Sequence, residues 1–376
     1  MRVVIAGGGT GGPLYPGLAL AEELKKRDPR TEIVFVGTRY GIEARVVPRE
    51  GYTIKFIPAE GFVGVSIFKK GRSLYRFLQA LRESYGYLRE IRPEIVVGSG
   101  GYASLAPLVM AWMLSIPTML LEQNTVAGMA NRLLGYIVKS ICITYQESMA
   151  YFPREKVYLT GNPIRERILK GSKSSGLRLF SLGDDLFTIF IFGGSAGAES
   201  INRAMIDALQ YLLDLREDIQ FLHQTGEKDF ESVRDAYRSY GYTGMVTPFI
   251  YQMPEAYAVA DLVVSRAGAT TLSEICVTGK PSILVPYPYA AANHQEINAG
   301  KLERLGAAVM VRNVELNGKR LSGEIMRLYN DPGLRENMGI KAMGLGRPDA
   351  VKRIADIALS LISLERRREG CLNSSE

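Results

Sequence analysis

The residue types best suited to chemistry gather in three stretches of the 376-residue chain. The first is Gly7-Gly-Gly-Thr-Gly-Gly12, directly after the apolar run Val3 to Ala6. Glycines let the backbone approach a ligand closely, and N–H groups at a helix start favour anionic or hydroxyl-rich groups; a purely structural tight turn has the same spelling. The stretch also satisfies the GxGxxG pattern of dinucleotide-binding proteins. Such a site expects an acid at the end of the second strand, but the chain reads Val36-Gly-Thr-Arg39 there, which leaves only a variant using Arg39 on a 2′-phosphate. The second stretch, Ser265-Arg-Ala-Gly-Ala-Thr-Thr-Leu-Ser-Glu274, puts small residues and hydroxyls at a helix start. Its N–H groups suit a diphosphate, while Glu274 either accepts from both hydroxyls of a ribose or complements the helix dipole. The third, Asn293-His-Gln-Glu-Ile-Asn298, is dense in amide and imidazole groups that suit sugar hydroxyls or a solvated loop.

The elements that must position these residues alternate as parallel-sheet units. Val3 to Ala6, a helical run to Lys26 and Glu32 to Val36 form a βαβ unit, and further short strands are expected at Ile95–Val97, Thr118–Leu121, Ser140–Ile143 and Lys156–Leu159. After a Ser/Lys/Gly-containing stretch at 171–176, read as a loop or linker, the pattern restarts. Phe187 to Phe192 runs into Gly193-Gly-Ser-Ala-Gly197 and a helix near Ser200, with later strands at Gln220–Leu222, Leu262–Val264, Ser282–Val285 and Ala308–Val311. The expectation is an α/β chain of two Rossmann-like domains facing a cleft, one at 1–163 rejoined by a final helix within 347–376, the other at 164–346.

Length alone favours two domains, and 47% hydrophobic with 23% charged residues marks a globular chain able to bury a large core. A net charge of +7 favours a phosphate-bearing ligand or an anionic membrane without choosing between them. Cys142, Cys276 and Cys371 are far apart and form no CxxC pair, which argues against a disulfide framework or a structural zinc and for a reducing cytoplasm. The apolar run at the N-terminus is too short for a signal peptide. The charge-free stretch 95–121 is divided by Pro107 and Pro117, so a helix between them covers roughly 15 Å, half of a hydrocarbon core; it reads as a buried helix followed by a buried strand. Neither an Asp-x-Asp motif nor metal-ligand spacing occurs, so no metal or cofactor is expected. From Lys69 to Arg82, basic residues accompany Leu74, Phe77, Leu78 and Leu81 at helical spacing, which suits either an ordinary core-facing helix or a membrane-surface contact.

Seven motifs together carry a family resemblance: Gly8-Gly-Thr-Gly-Gly12, Gly98-Ser-Gly-Gly-Tyr102, Glu122-Gln-Asn124 with Ala127-Gly128, Gly161-Asn-Pro-Ile-Arg165, Gly193-Gly-Ser195, the Ala269 to Glu274 turn, and His294-Gln295 with Asn298-Ala299. In order and spacing the chain resembles the bacterial N-acetylglucosaminyltransferases of peptidoglycan synthesis, two-domain glycosyltransferases of the GT-B type. The resemblance implies transfer of N-acetylglucosamine from UDP-N-acetylglucosamine to the 4-hydroxyl of undecaprenyl-pyrophosphoryl-MurNAc-pentapeptide, lipid I to lipid II, with inversion. It implies a donor site of Arg165, Ser195, Ile250 through its backbone on uracil, Ala269, Thr270, Thr271, Leu272, Ser273, Glu274 through its carboxylate on ribose, and Gln295. With these go Asn124 and the backbone of Thr10, Gly11 and Gly12, facing the transferred sugar or the acceptor. A lipid-linked acceptor also gives weight to contact of Lys69, Lys70, Arg72, Leu74 and Phe77 with anionic lipids at the cytoplasmic face. The implied partners are the donor, the lipid-linked acceptor, that membrane surface and other wall-synthesis proteins, with no nucleic acid.

One departure bears on mechanism. The family's glycine loop is followed by a histidine proposed as general base, and this chain has Pro13 there. His223 and His294, the only histidines, lie in the second half. The best remaining proton acceptor is Glu122, taken as the catalytic residue, with a buried carboxylate holding the loop Thr125 to Gly128 as the alternative. A UDP-sugar 2-epimerase, a glycosyltransferase with another acceptor, and a catalytically silent sugar-nucleotide-binding scaffold remain as other readings.

Overall fold

The computed structural model describes residues 1–59, 67–194 and 197–373, the side chains of 67–72 and 368–373 apart. The chain divides into two units, Met1–Arg165 with Pro348–Glu376, and Glu166–Arg347.

The first unit is built on strands β1 (Arg2–Gly7), β2 (Glu32–Gly37), β3 (Thr53–Phe56), β4 (Ile95–Gly100), β5 (Thr118–Glu122), β6 (Ser140–Ile143) and β7 (Val157–Leu159). They pair in parallel in the order β3-β2-β1-β4-β5-β6-β7. Val3 and Ile5 of β1 enter the core on one face, and Val4 and Ala6 enter it on the other, the two-residue period of a strand buried on both sides. Full burial of each such side chain is worth about 1.5–3 kcal/mol, so slipping the register by one residue exchanges both faces at once. Helix α1 (Gly11–Arg27) and α14 (Ala350–Asn373) cover the first face, where Ile354, Ala355, Ala358 and Ile362 join Leu14, Leu18 and Leu24. The short α2 (Glu43–Arg49) follows β2. Helices α3 (Ile67–Ile91), α4 (Leu105–Met113) and α5 (Met129–Gly135) contribute Ala80, Ala106, Leu108 and Leu134 to the opposite core.

The second unit repeats the plan with β8 (Phe187–Phe192), β9 (Ile219–Gln224), β10 (Thr243–Thr247), β11 (Leu262–Ser265), β12 (Ser282–Leu284) and β13 (Val309–Met310), ordered β10-β9-β8-β11-β12-β13 and all parallel. Its helices are α6 (Lys173–Phe180), α7 (Glu199–Ala208), α8 (Phe230–Ser239), α9 (Met253–Val259), α10 (Ala269–Thr278), α11 (His294–Arg304), α12 (Gly318–Asn330) and α13 (Pro332–Leu345). In both units the strand order reverses beside the first strand, the crevice where open α/β sheets bind ligands.

Several expectations change. The stretch 171–176 is no linker: Ser172 caps α6 by accepting from the Ser175 N–H, and a Cβ on Gly171 or Gly176 would fall 2.0 Å from the Pro254 carbonyl oxygen or 2.5 Å from Val259. These glycines let α6 lie against α9. The stretch 95–121 forms β4, α4 and β5, and among the described residues no helix is long and apolar enough to cross a membrane. The α4 helix is only partly buried, with Trp112 52% and Met113 63% exposed at its outer end.

Candidate active site

The turn between β1 and α1 closes on a residue outside every motif singled out in the sequence. Glu43, the first residue of α2, is wholly buried and its carboxylate accepts the N–H of Gly9 at 2.7 Å, the N–H of Thr38 at 2.8 Å and the Thr38 hydroxyl at 2.7 Å. A Cβ on Gly8 would lie 2.3 Å from Glu43, so that glycine makes room for a side chain of the protein itself. Gly101, at φ +79°, comes so close to this turn that a Cβ would sit 2.8 Å from the Gly8 carbonyl oxygen. Gly9 faces nothing within 4 Å, and Thr10 is exposed. Gly11 and Gly12 form the first turn of α1, and Pro13 stands there too, where the missing N–H costs no helical hydrogen bond.

Glu122 ends β5 and is 2% exposed. One oxygen accepts the Asn124 N–H at 3.0 Å and its side-chain amide at 3.3 Å; the other accepts the Gly128 N–H at 3.1 Å and the Asn131 amide at 2.8 Å. Burial pushes its pKa above the usual carboxylate range, against the pull of these donors. Four donors fill the roughly four acceptor positions of a carboxylate, so Glu122 is built to hold the loop that carries Asn124. These bonds are the ones the loop-holding alternative calls for, and a general-base role would require one of the donors to give way.

Arg165 also differs from its expected setting. It closes the first unit, 5% exposed, with its guanidinium 3.3 Å from the Glu50 carboxylate and over the Tyr15 ring at 4.7 Å. It therefore belongs to the unit of Thr10 to Gly12 and Asn124, not to that of Ile250, the Ala269 to Glu274 turn and Gln295, and pairs with an acid there.

In the second unit Ile250, the Ala269 to Glu274 turn and Gln295 stand on the segments that follow the carboxyl ends of β10, β11 and β12. Arg266 follows β11 and donates to the carbonyls of Val285 at 3.2 Å and Pro286 at 3.1 Å, to Asn313 at 3.0 Å and to Ser200 at 2.7 Å. All four partners are neutral oxygens, and burial pulls its pKa down to about 10, still far above neutrality. Beyond Gly268, the N-cap of α10, Ala269, Thr270 and Thr271 open the helix. Leu272 is 1% exposed and its side chain belongs to the core, while the Ser273 hydroxyl bonds back to the Ala269 carbonyl at 2.9 Å, so the turn offers its N–H groups rather than these side chains. Glu274, 7% exposed, accepts from the hydroxyl of the fully buried Tyr257 at 3.0 Å. The Ile250 N–H donates to Gln224 at 2.8 Å, and the Gln224 amide donates to the Gly194 carbonyl at 2.8 Å, so a uracil contact at Ile250 falls to its carbonyl. Gln295 accepts the Tyr287 N–H at 2.9 Å beneath a loop in which Ala292 and Asn293 both adopt positive φ, +50° and +53°. The half-buried His294 sits beside it, its Nδ1 2.8 Å from the Ala291 carbonyl oxygen, and burial lowers its pKa.

Ser195 lies outside the described residues, as do the side chains of Lys69, Lys70 and Arg72. Leu74 is 56% exposed, whereas Phe77 is half-buried against the core of α3 and α4. Sequence reasoning missed Glu43, whose partner Gly9 is 34 residues away, and Tyr257, which reads as one more apolar position of α9. It quoted Arg266 without a role, although its place one residue past an apolar run was a signal.

Comparison with known proteins is consistent with this arrangement. The glycosyltransferase family 28 N-terminal domain matches residues 3–143 and the family's C-terminal domain matches residues 188–354. A UDP-N-acetylglucosamine–N-acetylmuramyl-(pentapeptide) pyrophosphoryl-undecaprenol N-acetylglucosamine transferase of Thermodesulfovibrio yellowstonii is 49% identical over 366 residues, 97% of this chain and 100% of that protein. The enzyme of the same name from Myxococcus xanthus is 45% identical, over 96% of this chain and 93% of its own. Among solved structures, Acinetobacter baumannii MurG aligns with a TM-score of 0.72 at 28% identity, covering 95% of this chain and 98% of that one. The UDP-GlcNAc 2-epimerase of Neisseria meningitidis, solved with UDP-GlcNAc, aligns with a TM-score of 0.69 at 15% identity over 96% of this chain and 100% of its own, a likeness of fold alone. With each half matched by its own domain of one family, and relatives near half-identical from end to end, the chain belongs to glycosyltransferase family 28.

Proposed function

We propose that the protein transfers N-acetylglucosamine from UDP-N-acetylglucosamine to the 4-hydroxyl of the muramoyl sugar of undecaprenyl-pyrophosphoryl-MurNAc-pentapeptide, inverting the anomeric carbon. The observation that carries this reading is the charge pattern around Gly268: a guanidinium bonded only to neutral oxygens on one side, and on the other a carboxylate held by Tyr257. A cation suits a diphosphate and an oriented carboxylate suits a ribose diol. The bond between C1 and the diphosphate oxygen breaks as the acceptor oxygen bonds to C1. Arg266 and the α10 N–H groups meet the charge that develops on the leaving UDP. In the first unit the Thr10 to Gly12 backbone and Asn124, set by Glu122, face the sugars; Glu122 is a positioning residue here. With proline at position 13 and both histidines in the second half, the family's usual base is replaced by water, which takes the proton of the acceptor hydroxyl as its oxygen bonds to C1.

The lipid-linked acceptor requires a membrane surface. Supporting such contact, Leu74, Leu78, Trp112, Met113, Leu133 and Tyr136 are all more than half exposed on α3, α4 and the end of α5, helices that share one core. The cytoplasmic leaflet and association with other wall-synthesis proteins belong to the same reading.

Calorimetry with UDP and UDP-N-acetylglucosamine, together with turnover of the lipid-linked acceptor, tests the assignment. Both nucleotides bind, Glu274→Ala weakens both, and UDP is released only with acceptor. Formation of the 2-epimer without acceptor, or unchanged affinity in Glu274→Ala, removes it.

A further inference from the structure

We propose that Gln224, the last residue of β9, is a positioning residue of the second unit: its side-chain amide ties the segment that carries Ile250 to the glycine turn after β8, so that the base and the diphosphate of a nucleotide meet segments held at a fixed spacing. This deepens the proposed function and rests on it for the nucleotide.

Strand β9 lies between β10 and β8, and Gln224 is in register with Thr247 on one side and Phe192 on the other. Its side chain is 3% exposed and reaches past both partners. Oε1 accepts the Ile250 N–H at 2.8 Å beyond the end of β10, and Nε2 donates to the Gly194 carbonyl at 2.8 Å beyond the end of β8. An amide accepts and donates at once, whereas a carboxylate only accepts and a thioether does neither well. The backbone of β9 seats the same two loops. The N–H groups of Thr225 and Gly226 donate to the carbonyls of Thr247 and Pro248, both at 3.0 Å, and a Cβ on Gly197, at φ +77°, would lie 1.9 Å from the Thr225 carbonyl oxygen. The Gln224 side chain then joins one loop to the other.

In sheet order, the neighbouring strands β10, β9, β8 and β11 lead at their carboxyl ends to Ile250, Gln224, Gly194 and Arg266. Arg266 is itself tied to Ser200 of α7, the helix that follows the glycine turn, at 2.7 Å. Gly194, at φ +96°, has nothing within 4 Å of its Cβ position, and it stands where the strand order reverses. A ligand that spans from Ile250 to Arg266 must match a distance that Gln224 sets. Fixing that distance in advance spares the ligand the cost of ordering it. Gln220 gives the contrast. It lies on the same face of β9, 1% exposed, accepts the Gly183 N–H at 2.9 Å, and donates to the Gly183 carbonyl at 2.7 Å and to the Thr188 hydroxyl at 2.9 Å. It holds the amino ends of the strands, away from the crevice, whereas Gln224 joins segments that the nucleotide spans.

The test is calorimetry of uridine, inorganic pyrophosphate and UDP on the full chain, on Gln224→Met, which removes both bonds at similar size, and on Gln220→Met as control. In Gln224→Met, UDP is expected to weaken roughly 10- to 100-fold, the ordinary range for coupled sites, whereas uridine and pyrophosphate, each meeting one segment, weaken less than about 3-fold. Gln220→Met lowers the urea midpoint and keeps the native ratio of UDP to uridine affinity, which a loss of stability alone does not move. Unchanged UDP affinity in Gln224→Met overturns the proposal, as do equal losses for uridine and UDP, or the same change of ratio in Gln220→Met. Should Gln224→Met not fold, the native chain labelled with 15N-glutamine decides. The Gln224 side-chain amide signal moves with uridine and, separately, with pyrophosphate, and a response to only one of them, or to neither, overturns the proposal. A native chain that binds no UDP overturns the nucleotide reading and this inference together, whereas native binding with an unaltered ratio in Gln224→Met overturns this inference alone.

Discussion

Tyr257 crosses the rings of Phe190 and Phe192 nearly at right angles, with centroids 5.8 and 6.2 Å away, so its hydroxyl reaches Glu274 from a fixed direction. Removing that hydroxyl leaves the apolar packing in place and takes away one of the bonds that orient the carboxylate. A hydrogen bond to a charged group contributes about 1.5–3 kcal/mol. Tyr257→Phe is therefore expected to weaken UDP binding roughly 10-fold, and to have little effect on 2′-deoxy-UDP, which offers the carboxylate one hydroxyl fewer; calorimetry with the two nucleotides measures this. Equal losses for both would mean that Tyr257 acts on the fold at large. Glu122 calls for a different measurement, because its four donors make it a holder of the Asn124 loop. Glu122→Gln must point an amide N–H2 at two of those donors, so turnover falls with a rise in acceptor KM, and the pH profile keeps its shape. Pro13→His supplies an imidazole where the chain has none, and its kcat is expected to rise by up to on the order of 10²-fold with a new limb near the histidine range. A pH limb that disappears in Glu122→Gln would return the role of base to that carboxylate.

Elements were legible in the sequence to the extent that they are buried on both faces. Strands such as β1 and β8 are continuous apolar runs because helices cover both sides of the sheet. The two strands that sequence reasoning passed over, β3 and β10, lie at the sheet edges, and their sequences Thr-Ile-Lys-Phe and Thr-Gly-Met-Val-Thr mix polar residues and a glycine into the run. The capped start of α6 was read as a linker because Ser and Gly serve caps and loops alike; the close approach of α9 that requires the glycines is a tertiary fact. Polar side chains joining elements were equally hidden. His223 of β9 is fully buried, with Nδ1 2.9 Å from the Tyr237 hydroxyl on α8 and Nε2 3.1 Å from the Asn202 side-chain oxygen on α7. That oxygen can only accept, so Nε2 carries the proton and the ring is neutral. Burial pulls its pKa from 6.5 to about 3. Because the unfolded chain takes up this proton first, the stability that His223 contributes is complete above pH 6.5 and is lost as pH falls towards 3, by up to about 1.4 kcal/mol per unit. Urea unfolding between pH 7.5 and 5 is expected to show this slope in the native chain and a flatter one in His223→Gln. Identical slopes would assign the acid sensitivity to other groups.

At the scale of the whole molecule, two copies of one sheet order carry different surfaces as well as different charges at their switch points. The reading of two doubly wound halves was available from the restart at Phe187, because the period of strand, glycine turn and helix is a local property. Which apolar residues the folded chain leaves uncovered was not available, since Trp112 and Met113 stand in the same unbroken apolar run as the fully buried Leu108 and Ala111. Only the packing of α3, α4 and α5 separates them. The uncovered residues Leu74, Leu78, Trp112, Met113, Leu133 and Tyr136 share their unit with exposed Lys139, three positions after Tyr136, and the chain carries a net charge of +7. Apolar side chains with basic neighbours suit an interface with anionic lipid, where each buried apolar residue adds to an electrostatic attraction that salt screens. Co-sedimentation with vesicles containing phosphatidylglycerol is therefore expected to fall on raising salt from 0.05 to about 0.5 M, where the Debye length is well under 10 Å. It is also expected to fall several-fold in the double variant Trp112→Ser with Leu133→Ser. Both side chains are more than half exposed, so their loss leaves the core intact, and UDP affinity, which the proposed function assigns to the other unit, should not change. The variant should turn over a short-chain, water-soluble acceptor at the native rate and the full-length lipid acceptor in vesicles more slowly. Vesicle binding that survives both substitutions at low salt would place the lipid contact elsewhere on the chain.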